Sequence, residues 1–230
     1  MPTIAENIAA VRAEIAAAAR ACGRDPREIK LLAASKTQPA GKIREAILAG
    51  VDCVGENRAQ EMMDKLPAYE GAELHFIGRL QRNKVKFVVG RCALIHSVDS
   101  LPLMDTVNRI AGERNIVQPV LLEINIGAEE SKGGFAPETA EEAAGKAAEM
   151  PHIALKGLMC IPPVCGSENE QHKIFSKMYK LYVDITTNML HNSNMSILSM
   201  GMSEDFRVAI AHGSTLVRVG SGLFGIRPVT

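Results

Sequence analysis

Hydrophobic residues recur along the chain with two periods. Short, nearly continuous apolar runs lie near 29–35, 51–54, 74–77, 94–98, 120–126, 155–161, 197–200 and 216–219. Runs of this length read as strands buried on both faces. Between them, at 40–48, 58–66, 81–88, 101–114, 137–149, 170–190 and 204–211, stand stretches that read as helices of the 3.6-residue period. One more helix precedes the first strand. Thr3 and Glu6 are spaced as a capping box, Ile4, Ile8, Val11 and Ile15 share a face, and Gly23 is placed to end it. Regular alternation of strand and helix predicts parallel strands joined by right-handed crossovers. Eight such units favour a closed (β/α)8 barrel of TIM type over an open doubly wound sheet. No linker, repeat or low-complexity tract divides residues 1–230, so one domain is expected.

Composition narrows the function classes. Hydrophobic residues make up 47% and charged residues 23%, the balance of an ordered globular chain rather than a disordered one. The 26 basic and 26 acidic side chains cancel, which gives no electrostatic reason to expect nucleic acid or an anionic membrane as partner. No apolar stretch is long enough to span a bilayer, and Glu6, Arg12, Glu14 and Arg20 interrupt any signal-peptide pattern, so a cytoplasmic location is expected. Five scattered cysteines, with Cys160 and Cys165 flanking two prolines and no Cys/His partner pair at zinc spacing, predict free thiols and no metal site.

In a barrel of this kind the chemistry gathers at the C-terminal ends of the strands. Read in order, those ends carry Lys36, then Gly55, Glu56 and Asn57, then His75, Ile77 and Gly78, then Ser97 and Asp99. Asn125 follows, with Ser131, Lys132 and Gly133 in its loop, then Met159, then Ser199, Gly201 and Ser203, and last Arg218, Gly220 and Ser221. An amine sheltered at the end of a buried run can attack an aldehyde, which makes Lys36 a candidate nucleophile; the plainer alternative is a lysine that snorkels to the rim. Two serine- and glycine-bearing turns, 199–203 and 220–222, follow the seventh and eighth strands, where barrels commonly bind phosphate through backbone N–H groups. Gly220–Gly225 matches GxGxxG, but only five residues follow it, too few for a dinucleotide-binding unit. Arg218, between Val217 and Val219, needs a buried partner: a structural carboxylate, or a heteroaromatic nitrogen of a bound cofactor. Asn57, His75 and Asp99 read equally well as hydrogen-bonded structural residues.

The segments LLAASKT (31–37), GEN (55–57), HFIGRLQRNK (75–84), SKGG (131–134), GLMCIPP (157–163), LSMGMSEDF (198–206) and AIAHGSTLVRVGSGLFGIR (209–227) together resemble the YggS/PROSC-type pyridoxal phosphate homeostasis proteins. The resemblance implies a barrel like the N-terminal domain of alanine racemase, without that enzyme's second, β-rich domain. It implies pyridoxal 5′-phosphate as cofactor, with Lys36 as the Schiff-base lysine. It places Ser199, Gly201, Ser203, Gly220 and Ser221 around the phosphate, Arg218 against the pyridine nitrogen, and Asn57, His75, Met159 and Met200 near the ring. Lys132 matches a family lysine that serves as a secondary acceptor, whereas Arg58 stands where the family often has tyrosine.

The function so implied is cofactor binding and vitamin B6 homeostasis without strong catalysis, so no catalytic residue is assigned. Its implied partners are pyridoxal phosphate and pyridoxal phosphate-dependent apoenzymes, and no exposed apolar stripe calls for more than a monomer. Two rivals stand beside it. One is a weak pyridoxal phosphate-dependent amino-acid racemase. The other is a cofactor-free aldolase-type enzyme whose lysine attacks the substrate carbonyl directly.

Overall fold

Eight parallel strands close on themselves in sequence order in the computed structural model, which describes residues 2–129, 132–188 and 194–225. They are β1 (Lys30–Ala34), β2 (Cys53–Glu56), β3 (Glu73–Phe76), β4 (Leu94–Val98), β5 (Gln118–Glu123), β6 (Ile153–Met159), β7 (Ile197–Ser199) and β8 (Leu216–Val219). The seam is a four-residue ladder between β1 and β8, from Lys30↔Leu216 to Ala33↔Val219. The helices are α1 (Ile4–Ala21), α2 (Ala40–Leu48), α3 (Ala59–Asp64), α4 (Val85–Val88), α5 (Leu101–Glu113), α6 (Ala140–Glu149), α7 (Glu168–Asn188), α8 (Phe206–Ala211) and α9 (Ser221–Phe224).

Side chains alternate between the two faces of the sheet. Leu31, Ala33, Val54, Phe76, Ile95, Val120 and Val217 point outward and join the helices in the main core. Leu32, Cys53, Ile77 and Leu216 form one cluster inside the barrel, and Leu94, Leu121 and Met159 another. Because both faces are covered, the strands carry the continuous apolar runs seen in the sequence.

The helix after β8 is a single turn, too short to cover the seam. The N-terminal helix does so instead. Its capping box forms as expected, with Thr3 N–H donating to Glu6 at 2.7 Å and Glu6 N–H to Thr3 Oγ1 at 3.2 Å. Ile4, Ile8, Val11, Ile15 and Ala19 are buried, and the helix packs against α2, α8 and α9. Asn7 Nδ2 ties it to Leu223 O at 2.9 Å.

Several boundaries differ from the sequence reading, by two or three residues at β5 and β6 and more tellingly at three other places. The second strand runs on to Glu56, whose buried carboxylate takes the Asn57 N–H at 2.6 Å and the Tyr69 hydroxyl at 3.1 Å, so a charged residue ends a buried strand. Residues 81–88 form a 3-10 turn, Arg82–Lys84, before the one-turn α4. The long helix begins at Glu168; its expected end at Leu190 lies outside the described residues, as do Ser131 and Arg227. Among the described residues no helix is long and apolar enough to cross a membrane.

Candidate functional site

A cavity of about 460 Å³ opens at the C-terminal ends of the strands. Lys36, Asn57, Ser203, Arg218, Gly220 and Ser221 line it together, with 161–165 and Gln171 forming the opposite wall.

Lys36 sits just past β1, and the chain is pinned on both sides of it. Ser35 N–H and Oγ both donate to Gly55 O, at 2.9 and 3.1 Å. Thr37 adopts φ 63°, a left-handed conformation that costs a β-branched residue roughly 1–3 kcal/mol. Its N–H donates to Glu61 Oε1 at 2.7 Å, and the same oxygen accepts Lys65 Nζ at 2.5 Å. Lys65 also donates to Gln38 O at 2.6 Å. A carboxylate from α3 thus holds the turn that launches Lys36.

Across the cavity, the turns after β7 and β8 are joined by one hydroxyl. Ser203 Oγ accepts the N–H groups of Gly220 and Gly222, each at 3.3 Å. Asp205 folds the first of these turns by accepting Met202 N–H at 2.6 Å. Burial pushes the Asp205 carboxyl above its usual range, while the Met202 N–H and the charge of Arg218 pull it back. The N–H groups of Ser203 and Ser221 meet no acceptor among the described residues. Donors without acceptors, clustered at one end of a cavity, suit an anion. With α9 only one turn long, the donors here are individual amides rather than the end of a helix dipole.

Arg218 is 5% exposed and makes no ion pair among the described residues. Its Nη1 donates to Ser199 Oγ at 2.6 Å and its Nη2 to Cys160 O at 2.9 Å. Burial lowers its pKa from the ordinary arginine value. Burial also pushes the Cys160 thiol up to about 12, so this residue serves through its carbonyl rather than as a nucleophile. A guanidinium has five N–H donors and no acceptor, so this one retains donor capacity beyond its two protein bonds.

The other expected residues lie elsewhere. Ser199, expected near the phosphate, is fully buried between Arg218 and His96, on the Arg218 side of the site. His75, expected near the ring, is 3% exposed inside the barrel and bonded to His96. Met159 packs with Leu94 and Leu121 in the barrel interior. Met200 points away into the layer between strands and helices, because it follows inward-facing Ser199 by one residue. Gly201 is buried where α8 closes on β7; a Cβ there would meet Ala209 Cβ at 2.7 Å and Phe206 Cα at 2.9 Å, so packing accounts for it. Arg58 is exposed at the start of α3. Lys132 lines an adjoining cavity of about 250 Å³ with Asp99, Glu123 and Arg79, pairs with Glu129, and donates to Pro162 O at 3.3 Å.

Sequence reasoning missed His96, Glu61 and the Cys160 carbonyl. His96 had a legible signal, being two residues past Leu94 in a buried run and so inward-facing like it. Glu61 had none, because its role depends on how α3 packs.

Similarity to known proteins agrees with this geometry. A family profile described as "Alanine racemase, N-terminal domain" matches residues 6–228. The "Pyridoxal phosphate homeostasis protein" of Aquifex aeolicus is 43% identical over 224 residues, covering 96% of this chain and 97% of its own. A solved structure of PipY from Synechococcus elongatus "with PLP bound" is 32% identical, with a TM-score of 0.84 over 97% of this chain and all of that one. Alanine racemase from Corynebacterium glutamicum, 17% identical with a TM-score of 0.66, shares the fold over 96% of this chain and 62% of its own.

Proposed function

Because this chain belongs to the pyridoxal phosphate homeostasis protein family, we propose that it binds pyridoxal 5′-phosphate reversibly in the 460 Å³ cavity and serves vitamin B6 homeostasis. The observation that carries the reading is a single cavity holding an amine, a cluster of free N–H and hydroxyl donors, and a guanidinium without an anionic partner among the described residues. Its volume lies within the range of about 300–1,000 Å³ that small-molecule sites occupy.

The residues suit the three ends of the cofactor. Lys36 supplies the amine that bonds the aldehyde carbon. Ser203, Gly220 and Ser221 supply N–H and hydroxyl donors to the phosphate, and Asn57 borders the ring. Arg218 donates to the ring nitrogen, a neutral acceptor that fits a buried guanidinium lacking a carboxylate. Bound pyridoxal phosphate supplies an aldehyde for amines and, in catalysts, an electron sink. Arg218 does not give up its proton, so it keeps the ring nitrogen unprotonated and that sink shallow. The site therefore favours holding the cofactor over turning substrates over, and the racemase reading draws no support from it. We place Lys132 beside the main cavity as an accessory amine, and take pyridoxal phosphate-dependent apoenzymes as recipients of cofactor from a monomeric carrier.

Lys36→Ala tests the reading. The purified wild-type protein, titrated with pyridoxal phosphate, should show a visible absorption band that borohydride bleaches and fixes to the peptide containing Lys36. The variant should lack that band. A band that survives in Lys36→Ala, or label on another lysine, removes Lys36 from the role.

A further inference from the structure

Behind Arg218 a line of buried hydrogen bonds crosses the barrel interior. Ser199 Oγ lies 3.0 Å from His96 Nδ1, and His96 Nε2 lies 3.0 Å from His75 Nδ1. His75 Nε2 then stands 3.6 Å from Glu73 Oε2, and Glu73 pairs with Lys30 at 3.6 Å. Glu73 and Lys30 are the first residues of β3 and β1, at the mouth opposite the cavity. Ser199 and His96 are fully buried and His75 nearly so.

Chemistry fixes the direction of every bond. A guanidinium only donates, so Ser199 Oγ accepts from Arg218. The Glu73 carboxylate in turn only accepts, so a neutral His75 carries its proton on Nε2 and leaves Nδ1 bare. His96 therefore carries its proton on Nε2 and donates to His75 Nδ1. His96 Nδ1 is then bare and takes the serine proton, whereas the reverse order, which the two lone pairs of Ser199 Oγ would tolerate, would turn the His75 lone pair toward the Glu73 carboxylate. Burial keeps both rings neutral at pH 7, lowering His75 to about 4 and His96 well below its usual value.

We propose that His96, backed by His75, is a positioning residue for Arg218: its bare Nδ1 takes the Ser199 proton and so holds Ser199 Oγ as an acceptor for Nη1, leaving the guanidinium's remaining N–H groups aimed at the cofactor's ring nitrogen. This rests on the pyridoxal phosphate reading above. Two bonds to neutral acceptors, Ser199 Oγ and Cys160 O, hold Arg218 in its plane, and His96, by fixing the serine proton, fixes where the lone pairs of the first one point.

The test compares pyridoxal 5′-phosphate with its 1-deaza analogue, in which C–H replaces the ring nitrogen, by equilibrium titration of wild type, His96→Leu and His96→Asn. Loss of the acceptor in His96→Leu should weaken pyridoxal phosphate binding about tenfold while leaving the analogue unchanged. His96→Asn, whose Oδ1 stands in for Nδ1, should recover most of the affinity. Equal losses for both compounds, or no loss for either, overturn the proposal while leaving the cofactor reading intact. A wild type that takes up neither compound overturns both. Nitrogen-15 NMR of the imidazoles in the cofactor-free wild type needs no variant. It should show His75 and His96 neutral and protonated at Nε2 from pH 8 to pH 6, and an Nδ1-protonated or charged ring at either position defeats the argument.

Discussion

At the scale of single residues, the donor cluster opposite Lys36 is built from hydroxyls and amides that do different jobs. Ser203 Oγ spends its acceptor capacity on Gly220 and Gly222 N–H groups, which holds the two turns in register. Its own proton, the Ser221 hydroxyl and the free N–H groups remain for an anion. Replacing Ser203 and Ser221 together by alanine should weaken pyridoxal phosphate retention by roughly tenfold to a hundredfold, at about 1 kcal/mol per lost donor and more where the acceptor is charged. Titration followed by absorption checks this, and unchanged affinity would move the phosphate elsewhere. The serines were legible because they follow the seventh and eighth strands. Met200 and Gly201 were grouped with them because they share the segment. Strand alternation sends Met200 outward, however, and the close approach of α8 explains Gly201. Adjacency in sequence is a poor guide where neighbours face opposite sides of a sheet.

At the scale of elements, short continuous apolar runs and the 3.6-residue period located all eight strands and the helices that join them, because a parallel sheet covered on both faces has no polar face to alternate with. Ends were legible only where capping is local, as at Thr3 and Glu6. The end of β2 was hidden because Glu56 draws on Tyr69, a partner thirteen positions away. β6 carries a feature that no period reveals. Its pairing with β5 shifts register between Val120 and Leu121, and Gly157 beyond the shift adopts φ 150°. A Cβ there would lie 1.7 Å from the Ile197 carbonyl oxygen of β7. Backbone cannot yield as a side chain can, so Gly157→Ala should destabilise the fold by about 3 kcal/mol or more. Chemical denaturation would measure it, and a loss under 1 kcal/mol would mean that the strands separate more easily than their ladder suggests.

For the molecule as a whole, two neutral imidazoles in the barrel interior tie stability to pH. An imidazole in the unfolded chain takes a proton near pH 6.5, whereas burial holds folded His75 to about 4. Below pH 6.5 the unfolded state therefore binds a proton that the folded state refuses, and stability falls as pH drops toward 4. Between pH 7 and pH 5, His75 alone accounts for about 2 kcal/mol, with His96 adding in the same direction. Urea unfolding at the two pH values reads the difference, and constant or rising stability on acidification would mean that the pair is charged in the native state.

The cover of the β1–β8 seam by α1 has a consequence for how the protein is made. Helix α1 finds much of its resting place against α8 and α9, which are made about two hundred residues after it. Until then a stripe of Ile4, Ile8, Val11 and Ile15 lacks most of its cover, and the entropy of closing a loop of about two hundred residues is unrepaid. Nascent chains halted before Leu216 should stay open to protease throughout, and resistance should arrive in one step once β8 and α9 have left the ribosome.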